Sequence, residues 1–582
     1  MVDQELTRDI SLSDIFRFFG SILGPEKDYY ALALIYGIGI SLLSLALPIS
    51  VQMVVNTVAN TGLTTPLLVL SSTLFVLLLV SGILNALRIH LMDLFGRRFY
   101  ARMVSEIALR SIYALNPFFQ DYNKGDLFNR YFDILIVKKG LPQLLVGGFT
   151  IMLQAAVGFI LVSMYHPLFL AFNLVVVTLI WVIWLIWGGR AIRSAVEVSH
   201  KKHAAAAFLE GLGASNGFFK SKRHIAEALD RTDAVTGAYM EKHEKHFRHY
   251  FSQTLCFLFL YAAASASLLG LGGWLVIDGQ LSLGQLVAAE LVLAATFFGL
   301  SQFGTYLAIF YELCAALDEL SLFYNVEQEE AENRSVTVTD TATLASDLAF
   351  VNARGDARGM PTTLNFTIPN NARVLGTAET HGVQRELTNF LKRHINPSSG
   401  YVTLGGHDIM SIPVHELRQH IIVLDRPNAI EMTIREYLQL SADDAYHGRI
   451  MEAIELVGLT DAISQFDRGL DTRIAATGWP FTITESMQLK LAAAIIANPV
   501  VLVLGQLFDA IPDDALVRSF AALQEDLRTT ILYFSARPRD LAFDHYLYLG
   551  QEQQAMYRDF DAFCQATSGE LCADPNTQPQ PA

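Results

Sequence analysis

In the first half of the chain, apolar residues neither alternate nor recur at amphipathic spacing; they run unbroken for whole spans. Such stretches lie near 29–52, 66–87, 141–165, 167–189, 251–276 and 281–310. About 20 apolar residues suffice for a helix to cross the hydrocarbon core of a bilayer, so each predicts a transmembrane helix. The third and fourth are separated only by a turn around His166 and Pro167, the fifth and sixth by Ile277-Asp278-Gly279-Gln280. Between 88–140 and 190–250, charged and apolar residues interleave, which predicts helices that leave the membrane, turn and return. Breaks are expected at Asn116-Pro117-Phe118-Phe119, at Asn123-Lys124-Gly125-Asp126, and at Gly211, Gly213 and Gly217. Residues 1–28 contain Ile15, Phe18, Phe19 and Ile22 at helical spacing. They predict a short helix lying in the membrane interface or packing as a soluble element, with no cleavable signal.

The pattern changes beyond residue 325. Residues 326–339 read as a charged linker, and 340–565 alternate short β-like runs with helices, as in an α/β domain. Ala372–Leu375, His420–Leu424, Val500–Leu504 and Thr530–Phe534 have the apolar continuity of buried strands. The Pro/Gln-rich stretch within 566–582 predicts a disordered tail.

Charge adds orientation. Loop 88–140 is rich in Lys and Arg, among them Arg97, Arg98, Lys138 and Lys139, and so is loop 190–250, with Lys201, Lys202, Lys220 and Lys222. The short loops near 53–65, 165–167 and 276–280 contain neither residue. The positive-inside rule therefore makes both long loops and both termini cytosolic. Composition agrees with a membrane protein: 52% of residues are hydrophobic, 17% are charged, and mean hydropathy is +0.34. The net charge of -15 argues against a nucleic-acid partner. Cys256, Cys314, Cys564 and Cys572 show no CxxC spacing, so reduced thiols are expected rather than a metal or disulfide framework. Glu290 falls inside the sixth span, where an ionisable group marks a pathway candidate or a helix-packing contact.

Particular stretches make the reading more specific. Residues 273–293 (GWLVIDGQLSLGQLVAAELVL) and 47–58 (LPISVQMVVNTV) resemble the last-span and first-span text of ABC exporters of the type I secretion (haemolysin exporter) group. Asn396–Gly400, Leu417-Arg418, Gly469–Thr472 and Asn498-Pro499 resemble that group's segments around its nucleotide motifs. The resemblance implies a six-helix ABC exporter membrane domain followed by an ABC-type α/β nucleotide-binding domain.

The chemistry the resemblance would require is altered. A phosphate loop needs glycines for close backbone approach, a Lys for the β/γ oxygens and a hydroxyl for Mg²⁺. Here it reads from Gly376 through Gly382 to Glu386, with Gln384 at the Lys position and Arg385 and Glu386 where hydroxyls belong. Glu379 and Glu386 are expected to repel a polyphosphate. Arg426 stands at the Q-loop position, and Phe481-Thr482-Ile483-Thr484-Glu485 at the signature. Gly505 and Gln506 replace the Walker B Asp and Glu, and Ala536 the switch His. No aromatic between Phe350 and Thr362 is placed to stack on adenine.

Phosphoryl transfer rests on positioning and charge neutralisation, so catalysis is not expected. Nor is a bound cofactor or metal, although Gly376, Gly382, Arg373 and Arg385 leave open a weak ATP or anion site. The resemblance implies a bacterial inner membrane, a homodimer or a heterodimer with another ABC half-transporter, and a periplasmic adaptor and outer-membrane channel as further partners. Phe481 and Ile483 suggest new contacts between soluble domains. A non-transporting scaffold, receptor or regulator is the alternative, since a partner's ATP site would also face the altered signature.

Overall fold

The computed structural model describes residues 20–60, 64–115, 124–329, 347–357, 360–426, 430–442, 447–526, 529–537, 541–551 and 553–567. It divides into two units, Met1–Glu329 and Glu330–Ala582, each with its own core.

The first unit is helical: α1 (Lys27–Leu43), α2 (Ala46–Asn60), α3 (Thr64–Ile112), α4 (Tyr131–Gln143), α5 (Phe149–Ser163), α6 (Pro167–Ala214), α7 (Lys222–Ile277), α8 (Leu283–Ser301) and α9 (Phe303–Ser321). Six candidate spans, by length and composition, fall where the apolar runs predict them. At 1.5 Å per residue, α6 and α7 are about 72 and 84 Å long, so each extends well beyond a hydrocarbon core about 30 Å thick.

Several details differ from the sequence reading. The first span is broken at Ser44-Leu45, where Pro48 has no N–H to give to the first turn of α2. The third passes through a π-helical turn, Leu144–Gly148, just after Pro142. The sixth ends at Ser301. The second long loop turns at 215–221, a stretch that includes Gly217, whereas Gly211 and Gly213 remain inside the last turn of α6, and Ser221 caps α7 by accepting from His224 N–H. Glu327–Glu329 are part of the first unit. The N–H of Leu115 donates to Glu327 O at 2.9 Å and that of Glu329 to Tyr113 O at 2.7 Å. The predicted interfacial helix falls largely, Asn116–Phe119 and Asn123 wholly, and the tail from residue 568 on, outside the described residues; Ala566 still belongs to the helix Phe560–Ala566.

On the side of the loops predicted to be external, His166 caps α6 through Leu168 N–H at 3.2 Å and meets Gln280 at 2.9 Å, tying the two short turns together. Deeper in, Phe169, Leu268, Leu293 and Phe297 form one apolar cluster. At the other end, Phe95, Phe99, Val137, Leu317 and Phe323 form another. Beside it lie ion pairs on buried carboxylates: Arg102 with Glu26 at 2.7 Å, Arg130 with Glu319 at 2.6 Å, and Asp133 with Lys202 at 3.0 Å and His203 at 2.7 Å.

The second unit contains two sheets. β1 (Leu348–Ala357), β2 (Met360–Ile368), β4 (Ser399–Leu404) and β5 (His407–Asp408) form an antiparallel sheet of order β2-β1-β4-β5. β3 (Arg373–Ala378), β6 (Ile421–Leu424), β7 (Val501–Leu504), β8 (Thr530–Phe534), β9 (His545–Leu549) and β10 (Gln554–Tyr557) form the other, of order β10-β9-β3-β8-β7-β6. Its strands are parallel except β10. β7 and β8 are buried along their whole length, as their apolar runs require. Helices α10 (His381–Leu391), α11 (Ile483–Ala497) and α12 (Asp513–Asp526) complete the framework. Cys256 and Cys314 are free thiols, but Cys564 is disulfide-bonded, against the expectation of reduced thiols throughout.

Candidate functional site

Parallel α/β sheets bind ligands beyond the carboxyl ends of their strands. That edge gathers most of the predicted motif positions. Gly376 pairs with Phe534 in register, Ser535 N–H donates to Gly376 O at 3.3 Å, and Gly505 N–H donates to Leu424 O at 2.9 Å. The switch position Ala536, the Walker B positions Gly505 and Gln506, and the Q-loop position Arg426 thus follow the ends of β8, β7 and β6.

The phosphate-loop segment is not an open cradle of amides. β3 continues through Ala378, and Glu379 N–H donates to Leu549 O at 2.9 Å. The Glu379 carboxylate then accepts from Gln551 N–H at 3.1 Å, fastening the segment to the β9–β10 turn. Gly376 serves packing here, since a Cβ would lie 2.8 Å from the Phe534 ring. Gly382 and Gln384 sit in the first turns of α10, with Gln384 buried and Arg385 half-buried. One expectation is corrected. Glu386 does not face a polyphosphate, because it is buried on the inner face of α10 with its carboxylate against Gly355 of β1.

The Q-loop position is tied down as well. Lys490 of α11 donates to the Arg426 carbonyl at 2.5 Å, and Lys392 pairs with Asp425. Burial, with Lys392, Arg418 and Arg426 nearby, pushes His394 down to about 3, so it is neutral at pH 7.

At the signature position the sequence has made a capping box. Thr482 Oγ1 accepts from Glu485 N–H at 3.2 Å, while Glu485 Oε2 accepts from Thr482 N–H at 2.7 Å and from its hydroxyl at 2.8 Å. A helix start has unpaired donors and a partial positive charge; here the box occupies the N–H groups of Thr482 and Glu485 and sets a carboxylate at that terminus. Phe481 is buried against Phe466 in its own domain, so it cannot serve a contact between domains as the sequence suggested. Ile483 (68% exposed) and Trp479 (71%) remain outside. Thr482→Ala should cost about 1 kcal/mol and lower the melting midpoint of the soluble unit by about 2–4 °C. An unchanged midpoint would mean that the box contributes nothing.

Sequence reasoning missed Asp509. Its buried carboxylate accepts from the Tyr533 hydroxyl, from Ser535 Oγ at 2.7 Å and from Ala536 N–H at 2.9 Å. It clamps the segment after β7 onto the end of β8. A carboxylate beside Phe508 was visible in the sequence, but only the tertiary fold shows which donors it receives. Glu290, in α8, leaves Oε2 buried without a hydrogen-bond partner. Among the described residues no cluster could hold a metal ion.

The family model for the ABC transporter transmembrane region matches residues 30–211. The chain is 25% identical over 534 residues to ABC multidrug transporter mdr2 of Aspergillus fumigatus, covering 88% of this chain and 66% of that one. It is 25% identical over 271 residues to transport/processing ATP-binding protein ComA of Streptococcus pneumoniae (45% and 38%). Over 249 residues it is 26% identical to leukotoxin translocation ATP-binding protein LktB of Mannheimia haemolytica (42% and 34%). It therefore spans about one third to two thirds of the length of these relatives. A bacterial Atm1-family ABC exporter with ATP bound superposes with a TM-score of 0.78 at 16% identity, over 93% of this chain and 97% of that one. The chain thus has an ABC exporter fold, and its first half contains an ABC transporter transmembrane region homologous to those of exporters.

Proposed function

We propose that the chain is the membrane component of an ABC-type, type I secretion-like export system whose own nucleotide-binding domain does not hydrolyse ATP. The observation that carries this is the capping box: the helix start where the resemblance places a phosphate contact is closed by Glu485 of its own first turn. The Glu379 amide spent on Leu549, and Gln384, Gly505, Gln506 and Ala536 at positions that would carry catalytic groups, support the same reading. The protein would lie in a bacterial inner membrane with both termini cytosolic, as its Lys and Arg distribution favours. It would act as a dimer or heteromer, with Glu290 on its membrane pathway. A periplasmic adaptor and an outer-membrane channel are the further partners this reading implies.

A scaffold or receptor that keeps the exporter shape without transport is the second reading, favoured by the alteration of both contributions to an ATP site. ATPase assays of the lipid-reconstituted chain, alone and with a co-expressed ABC half-transporter, separate them. No turnover alone and turnover with the partner supports the export component. No turnover in either state favours the scaffold, and turnover by the chain alone overturns the pseudo-ATPase reading. Mg-ATP should leave the melting temperature unchanged, because a ligand at free concentration c raises stability by RT ln(1 + c/Kd), which vanishes without a binding site; a clear rise would overturn this reading.

A further inference from the structure

An open groove of about 810 Å³ lies in the first unit between α3, the α4–α5 junction and α9. We propose that it binds an acidic phospholipid of the cytosolic leaflet, head group at Lys138 and Lys139 and acyl chain on the apolar floor. This rests on reading the first half as membrane-embedded, and on nothing about ATP or transport.

The groove exists because of local sequence. Pro142 withholds a backbone donor, and the π-helical turn Leu144–Gly148 follows at once. Such single π turns frequently mark functional sites. Gly147 lets Tyr306 fold onto the turn: a Cβ there would lie 2.4 Å from the Tyr306 hydroxyl. The ring is thereby held against the wall of the groove.

Chemistry divides the lining in two. Ile89, Met92, Val146 and Ile309 are apolar, whereas Lys138 and Lys139 bring cations. The Lys138 ammonium stands 5.4 Å over the Tyr100 ring, and Lys139 is exposed with no ion pair among the described residues. Asp93 also lines the groove, but Arg97 holds it at 3.0 Å, so the balance is positive. Both lysines immediately precede the third apolar span, on the side the Lys and Arg distribution makes cytosolic. There an anionic head group would meet them while its chain stays at hydrocarbon depth. A soluble anion would need the lysines and have no use for the floor.

The test is native mass spectrometry of the full chain released from detergent with equimolar phosphatidylglycerol and phosphatidylcholine, and with glycerol 1-phosphate as the soluble arm. Phosphatidylglycerol should be retained preferentially. The Lys138→Ala/Lys139→Ala variant should lose about tenfold of that preference. Val146→Trp, which fills the floor and leaves the charge, should lose retention of both lipids at this site. Equal retention of the two lipids, unchanged behaviour of both variants, or equal competition by glycerol 1-phosphate would each overturn the proposal. None of these outcomes bears on the ATPase assays above, so the two readings fail separately.

Discussion

Asp509→Ala is expected to destabilise the soluble unit by about 3–5 kcal/mol, because it strips the acceptor from several buried donors at once. The Tyr533 side chain, in β8, is fully buried beside Phe520 and Phe543, out of reach of bulk solvent. Ser535 Oγ, which also accepts from Arg537 N–H at 3.0 Å, would lose its anchor. The local consequence is sharper than the global one. Ala536 N–H, protected only by Asp509 Oδ2, should exchange with deuterium about a hundredfold faster, given a factor of ten per 1.4 kcal/mol. Asp509→Asn keeps an oxygen acceptor and should fall between. Exchange at Ala536 that does not change in the alanine variant would show that the clamp is not what orders this segment.

Asp133→Asn should have a comparable effect in the membrane unit, about 3–5 kcal/mol, because a buried charge pair is broken from one side. Asp133 is fully buried near the start of α4 and receives Lys202 Nζ at 3.0 Å and His203 Nε2 at 2.7 Å from α6. Near it, His200 Nε2 meets Asp318 at 3.0 Å and Arg130 meets Glu319 at 2.6 Å, so α4, α6 and α9 are joined by charge. The amide is neutral and keeps one oxygen, so the ion pair with half-exposed Lys202 is lost and only one of Lys202 and buried His203 keeps an acceptor. Thermal denaturation in detergent, followed by size-exclusion chromatography, should show a midpoint lower by several degrees. His203→Asn combined with Asp133→Asn should recover part of the loss, because partners in one network are not additive. A single variant that melts like the parent would sink the claim that this pair holds the helices together.

The fold was largely legible in the sequence because its signals are local and strong. An apolar run long enough to span a bilayer has few other uses, and its position survives any arrangement of neighbours. The runs at 501–504 and 530–534 became central strands because residues covered on both faces are nearly all apolar, whereas 421–424 became the edge strand β6, fully buried only at Ile421. Exact ends were less legible. Gly211 and Gly213 look like breakers, yet they stay helical in the last turn of α6, and the chain turns just after them, at 215–221.

For the candidate site, the sequence by itself determined which side chains stand where the resemblance would place nucleotide chemistry: Gln384, Gly505, Gln506 and Ala536, none of them a lysine, an acid or a histidine. Absence of a side chain needs no coordinates. Only the tertiary structure decided what the remaining groups do instead. Glu485 turns back on Thr482, Glu379 joins the β9–β10 turn, Glu386 is buried under Gly355, and Asp509 gathers donors from the end of β8. A carboxylate reads the same in any sequence, and its role depends on which donors the fold brings within hydrogen-bonding distance of it.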